Sequence, residues 1–154
     1  SKFWAAPFEM LKEFGGQVIE TNFDPSKLIT TKASLGSATT IGIIATNVAL
    51  DKAGATRMAS AAHDGFARAI YSSHTPMDGD LIFGVSTGQR EMKNPTSDSV
   101  KLGNAGAICM TRAIARAVFE AQSAVGDTDP TWKKNISLNN WDYIKKNLKR
   151  FKLE

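Results

Sequence analysis

The stretch Thr40-Ile41-Gly42-Ile43-Ile44-Ala45-Thr46-Asn47 constrains this chain more than any other. It is apolar on both faces of an extended backbone, and such a strand belongs inside a layered sheet, covered from two sides. The lead-in Leu35-Gly36-Ser37-Ala38 is small and flexible, so the strand starts abruptly at a threonine pair. A hydroxyl at that junction is presented at the sheet edge by a rigid backbone behind it. β-branched residues open many strands, so residue type alone assigns Thr39 and Thr40 no chemistry. Cutting the chain before Thr39 changes that. A terminal threonine carries a nucleophilic hydroxyl and its own base, the α-amine.

The rest of the chain reads as one domain around this strand. Phe3 to Phe14 is apolar and aromatic, and Pro7 argues against one continuous helix there. Gly15-Gly16 breaks the segment, Gln17 to Thr21 suits a short strand, and Asp24-Pro25-Ser26 signals a turn. Lys27 to Ala38 reads as a surface linker. Asp51 is placed to cap a helix in which Ala55, Met58, Ala59, Ala62, Phe66 and Ala69 form one small-residue stripe. Arg57, Asp64 and Arg68 fall mostly on its other side. His74 to Asp80 is a turn-rich loop, and Leu81 to Thr87 is a second buried strand. Gly88 to Ser99 is expected to be an exposed loop. Leu102 to Gln122 is expected to be a long helix with Ile108, Thr111, Ala115, Val118 and Phe119 toward the core.

Composition excludes several classes. With 42% hydrophobic and 22% charged residues, the chain is that of a globular domain. No apolar run is long enough to span a bilayer. The single Cys109 excludes an internal disulfide and any cysteine metal cluster, and on a helix it reads as a small buried residue. The two histidines lack metal spacing, so no metal or other cofactor is expected. His63 beside Asp64 reads as a structural residue, and His74 as a brace for the loop before Asp78 and Asp80. From Thr131 onward seven basic residues face two acidic ones, a net of +5, so the total of +4 leaves the body near neutral. Ser137 can cap a helix that aligns Trp141, Ile144, Leu148 and Phe151 on one face against Lys145, Lys149 and Lys152.

Four ordered blocks carry a resemblance. They are Phe3-Trp4-Ala5-Ala6-Pro7-Phe8-Glu9, Thr39-Thr40-Ile41-Gly42-Ile43-Ile44-Ala45-Thr46-Asn47, Ala61-Ala62-His63-Asp64-Gly65-Phe66-Ala67-Arg68-Ala69-Ile70, and His74-Thr75-Pro76-Met77-Asp78-Gly79-Asp80. Together they resemble the self-processing N-terminal nucleophile hydrolases: D-aminopeptidase/esterases, β-peptidyl aminopeptidases and nylon-oligomer hydrolases, the last being the nearest branch. The resemblance covers residues 3 to 122. It implies a layered α-β-β-α sandwich, of which this chain is the C-terminal portion. It implies self-cleavage between Ala38 and Thr39, with Thr39 as nucleophile and Asp78 and Asp80 beside it, acting on small peptides or amide oligomers.

The chain then divides into 1–38, the end of the larger subunit with its processing linker; 39–125, the nucleophile-bearing core; and 126–154, a basic extension. The numbered chain reads as part of a longer product. Two departures from the family stand out. The residue before the threonine is usually Asn in the nylon-oligomer branch and is Ala38 here. The family's site lysine and asparagine lie upstream and have no counterpart in these residues. A complementary chain carrying that half of the fold is therefore expected, in a homo- or hetero-oligomer. The alternative is an inactive member serving as a structural subunit, its basic tail meeting a protein partner or an anionic surface. Cytoplasm or an organelle interior is the expected location.

Overall fold

A computed structural model describes residues 3–16, 39–127 and 131–137. The expected strand at 17–21, the turn at 24–26, the linker ending at Ala38 and the helical face from Trp141 onward lie outside these residues. The described architecture is mixed α/β, with a two-stranded parallel sheet and helices packed on it.

Strand β1 spans Ile41–Val48 and β2 spans Leu81–Arg90, and they run parallel with Ile41 opposite Leu81 and Ala45 opposite Val85. Parallel neighbours need a long crossover. Here it is helix α1, Lys52–Ala62, followed by α2, Asp64–Ala69. Asp51 caps α1 by accepting from the Gly54 amide at 2.7 Å. The small-residue stripe predicts one helix, but the chain breaks into two at His63. Close packing against the next helix accompanies the break: a Cβ on Gly65 would meet the Ala107 carbonyl oxygen at 2.7 Å.

Helix α3 spans Pro95–Glu120 and starts seven residues before its expected beginning at Leu102. The polar run before it forms a cap. Asn94 accepts from the Ser97 amide at 3.1 Å, and Asp98 accepts from the Asn94 amide at 3.0 Å. With β2 running on to Arg90, the expected long loop at 88–99 shrinks to a few residues. Thr111 and Ala115 are buried on α3 as expected, and Gly106, Ala107 and Met110 join them. Val118 and Cys109 are exposed instead. Cys109 sits on the opposite side of α3 from the 107–110–111–115 stripe, whereas Val118 continues that stripe one turn past Ala115, its last buried residue.

The core lies between the helices and one face of the sheet, around Ala59, Ala62, Phe66, Ile82 and Met110. Gly84 lets α1 approach β2 closely, since a Cβ there would sit 2.5 Å from the Ala55 carbonyl oxygen. The other sheet face is bare among the described residues. Ile41, Ile43, Leu81, Phe83 and Val85 all remain exposed on it.

Residues 3–16 lie against α3. Ala6–Phe8 forms a short 3-10 turn at Pro7. Phe14 and Ala5 bury against Ala115, with Phe3 and Phe119 alongside. Helix α4, Trp132–Ser137, brings Trp132 to a ring-centroid distance of 4.1 Å from Phe3. Ser137, expected to start a helix, is already inside this one. Glu13 binds Arg112 with both carboxylate oxygens, Arg112 Nη2 lying 3.0 Å from Oε2. That guanidinium holds the Glu13 carboxyl below its ordinary value near 4.5.

Two outcomes follow from this packing. Gly84→Ala forces a methyl onto helix backbone and is expected to destabilise the fold by about 1–3 kcal/mol, read by denaturant titration. Because the Glu13 value is lowered on folding, its stabilisation is present above about 4.5 and is lost as pH falls below that. Glu13→Gln therefore lowers the melting temperature at neutral pH, and its deficit against wild type shrinks on acidification.

Candidate active site

The site is built where β1 begins and the loop before β2 ends. Thr40 is locked at this junction from two sides. Its carbonyl accepts from the Leu81 amide at 3.0 Å, extending the ladder by one residue. Its amide donates to Asp80 Oδ1 at 3.0 Å. The Asp80 side chain is only 3% exposed, so this bond is shielded from water. Asp80 thus fixes the peptide plane between Thr39 and Thr40.

Thr39 itself is exposed at the end of the strand. Its hydroxyl lies over Gly79, where a Cβ would come within 3.0 Å of Thr39 Oγ1. A residue without a side chain is what permits that approach. The structure therefore brings residue 39 against the middle of the Asp78-Gly79-Asp80 segment, and the hydroxyl is not packed into apolar surroundings.

The two aspartates differ in kind. If the segment were extended, spacing would let both carboxylates aim to one side. Instead Asp78 closes a turn: its amide donates to the Thr75 carbonyl at 2.9 Å, and its Oδ2 accepts from the Thr75 amide at 2.8 Å. Its Oδ1 is buried. Asp78 holds the loop beneath the hydroxyl, and Asp80 holds the strand that carries it.

His74 stands next to Asp80, with its Nδ1 and its backbone nitrogen each 3.3 Å from Asp80 Oδ2. Its ring stacks on Phe66, which is fully buried, at a centroid distance of 5.7 Å. His63 sits at the joint between α1 and α2, its ring 5.2 Å from that of His74. Burial first, and then the charge of His74, hold His63 below the ordinary imidazole range. Both histidines were expected to be structural, and both lie beside the site. Among the described residues no group of three or more His, Cys, Asp or Glu side chains is placed to hold a metal ion. No helix among them is long and apolar enough to cross a membrane.

Residues 10–131 match peptidase family S58. This chain belongs to that family. It is 40% identical over 98 residues to uncharacterised aminopeptidases of Mycobacterium bovis and Mycobacterium tuberculosis, covering 57% of this chain and 28% of theirs. A Mycobacterium leprae aminopeptidase, also uncharacterised, is 39% identical over 98 residues, with 57% and 27% covered. The chain thus spans less than a third of the length of these relatives.

Asp80→Ala removes the acceptor of the Thr40 amide and is expected to cost about 1–3 kcal/mol. Hydrogen exchange at the Thr40 amide should accelerate far more than at Ile44, in the middle of the same strand.

Proposed function

We propose that the complete protein is an N-terminal nucleophile amide hydrolase, acting as an aminopeptidase or amide-oligomer hydrolase on small peptides, amino-acid amides or amide oligomers. The observation that carries this reading is the exposed Thr39 hydroxyl held over Gly79, with Asp80 fixing the next amide. Membership of a peptidase family and likeness to aminopeptidases support it.

The chemistry begins with scission of the Ala38–Thr39 bond. The Thr39 hydroxyl adds to the Ala38 carbonyl, the amide becomes an ester, and water hydrolyses that ester to free the Thr39 amine. In turnover the hydroxyl attacks a substrate amide carbonyl while the terminal amine accepts its proton. The C–N bond breaks, the protonated amine product leaves, and an acyl ester remains on Thr39. Water then hydrolyses the ester and restores the hydroxyl. Asp80 keeps the nucleophile's peptide plane from turning, and Asp78 keeps the loop beneath it in place. Pre-oriented groups of this kind supply much of the rate of such reactions.

Stabilising the oxyanion needs donors that these residues do not provide. We place them, a cation and a carboxamide, on the part of the protein that the relatives' greater length represents. A second sheet from that part would also cover the bare face of Ile41, Ile43, Leu81, Phe83 and Val85, giving the layered sandwich. The Glu13–Arg112 pair and the Phe14–Ala115 contacts would hold the two cleavage products together, since they join residues on either side of the scission.

In the complete protein, Thr39→Ala is expected to abolish hydrolysis of an amino-acid anilide, and Thr39→Ser to retain a measurable rate. Unchanged turnover in the alanine variant would exclude Thr39 as nucleophile.

A further inference from the structure

His74 sits in the left-handed backbone region, with φ at +58°, which is uncommon for residues other than glycine. Three attachments hold it there. Its amide meets Asp80 Oδ2 at 3.3 Å, its Nδ1 meets the same oxygen at 3.3 Å, and its Nε2 lies 3.4 Å from the His63 carbonyl oxygen. The stack on Phe66 fixes the ring plane.

Both ring nitrogens therefore face acceptors. A carboxylate oxygen and a carbonyl oxygen can only receive hydrogen bonds, so each nitrogen must carry a proton for both contacts to form. A neutral ring satisfies one and abandons the other. The imidazolium form satisfies both, and it places a positive charge beside a carboxylate that is almost wholly buried.

We propose that His74 is a positioning residue for Thr39: doubly protonated, it ties Asp80 to the helix joint at His63, and Asp80 passes that rigidity to the Thr40 amide and the hydroxyl beside it. This rests on the reading of Thr39 as nucleophile. His74 touches no reacting atom and acts through Asp80. The side chain is 41% exposed, so it exchanges its proton with solvent even though the carboxylate does not. Among the described residues the titratable groups around it are Asp80, Asp78 on the same turn, and His63 and Asp64 at the helix joint.

The test uses the complete protein and three variants. Asn tolerates the left-handed backbone and keeps one donor, so His74→Asn should lower kcat about ten-fold with little change in KM. His74→Arg keeps a permanent cation and should recover part of the rate. Histidine 15N spectra of wild type should show both His74 nitrogens protonated at the pH of maximal activity. The proposal is overturned by a neutral tautomer there, or by a His74→Asn enzyme with the wild-type kcat. Thr39→Ala, run in parallel, separates the failures. If it is inactive while His74→Asn matches wild type, only the role of His74 falls. If it is active, the nucleophile reading falls and this proposal with it.

Discussion

A single buried carboxylate organises the functional end of this fold. Asp80 closes the gap between the residue that leads into one strand and the loop that launches the next, by taking the Thr40 amide at 3.0 Å. Two parallel strands joined by a long helical crossover have no tight turn to set where they start. At this end the register is set by the Thr40–Leu81 backbone bond and by this carboxylate. A fixed backbone at Thr40 also fixes what precedes it. The Thr39 hydroxyl inherits its place over Gly79 from the strand behind it.

The exposed sheet face carries a second lesson. Its sequence is apolar on both sides, which demands cover on both sides, yet the helices cover only one. Five large apolar side chains across two strands form more bare surface than single exposed residues on an ordinary surface do. The same end of the sheet presents a threonine hydroxyl and two ordered aspartates, and we place the lysine and carboxamide that would complete the site on the part of the protein beyond the matched region. Completion of the sheet and completion of the site are, in our reading, one event, supplied by the part of the protein that the aminopeptidase relatives carry beyond the matched region.

Much of this was legible from residues alone, for physical reasons that can be named. The β1 strand was placed to within a residue, because a two-sided apolar run bounded by small residues has few other conformations. Asp51 was readable as a cap because a carboxylate before a small-residue helix satisfies a free amide. The proximity of Thr39 to residues 78–80 came from resemblance, not from spacing, since the whole of β1 and the helical crossover separate them. Other features were hidden. The break at His63 is invisible to periodicity, because the small-residue stripe runs straight through it. Asn94 and Asp98 were read as loop because polar caps and polar loops share a composition. Cys109 was expected inside because a cysteine on an apolar helix usually is. It is turned outward by one position relative to Met110. The turn that engages Asp78 Oδ2 was hidden as well, because spacing does not tell which backbone amide a carboxylate will take.

The clamp between residues 3–16 and α3 fits the same picture. It binds a segment before the proposed scission to a helix after it through a bidentate ion pair and a cluster of aromatic rings. A chain that cuts itself needs such contacts if its pieces are to stay together. The most direct measurement is the intact mass and N-terminal sequence of the purified mature protein. A polypeptide beginning at Thr39 with a free amine, co-purifying with the piece that precedes it, is the predicted result. An unbroken Ala38–Thr39 bond in every molecule of an active preparation would contradict it.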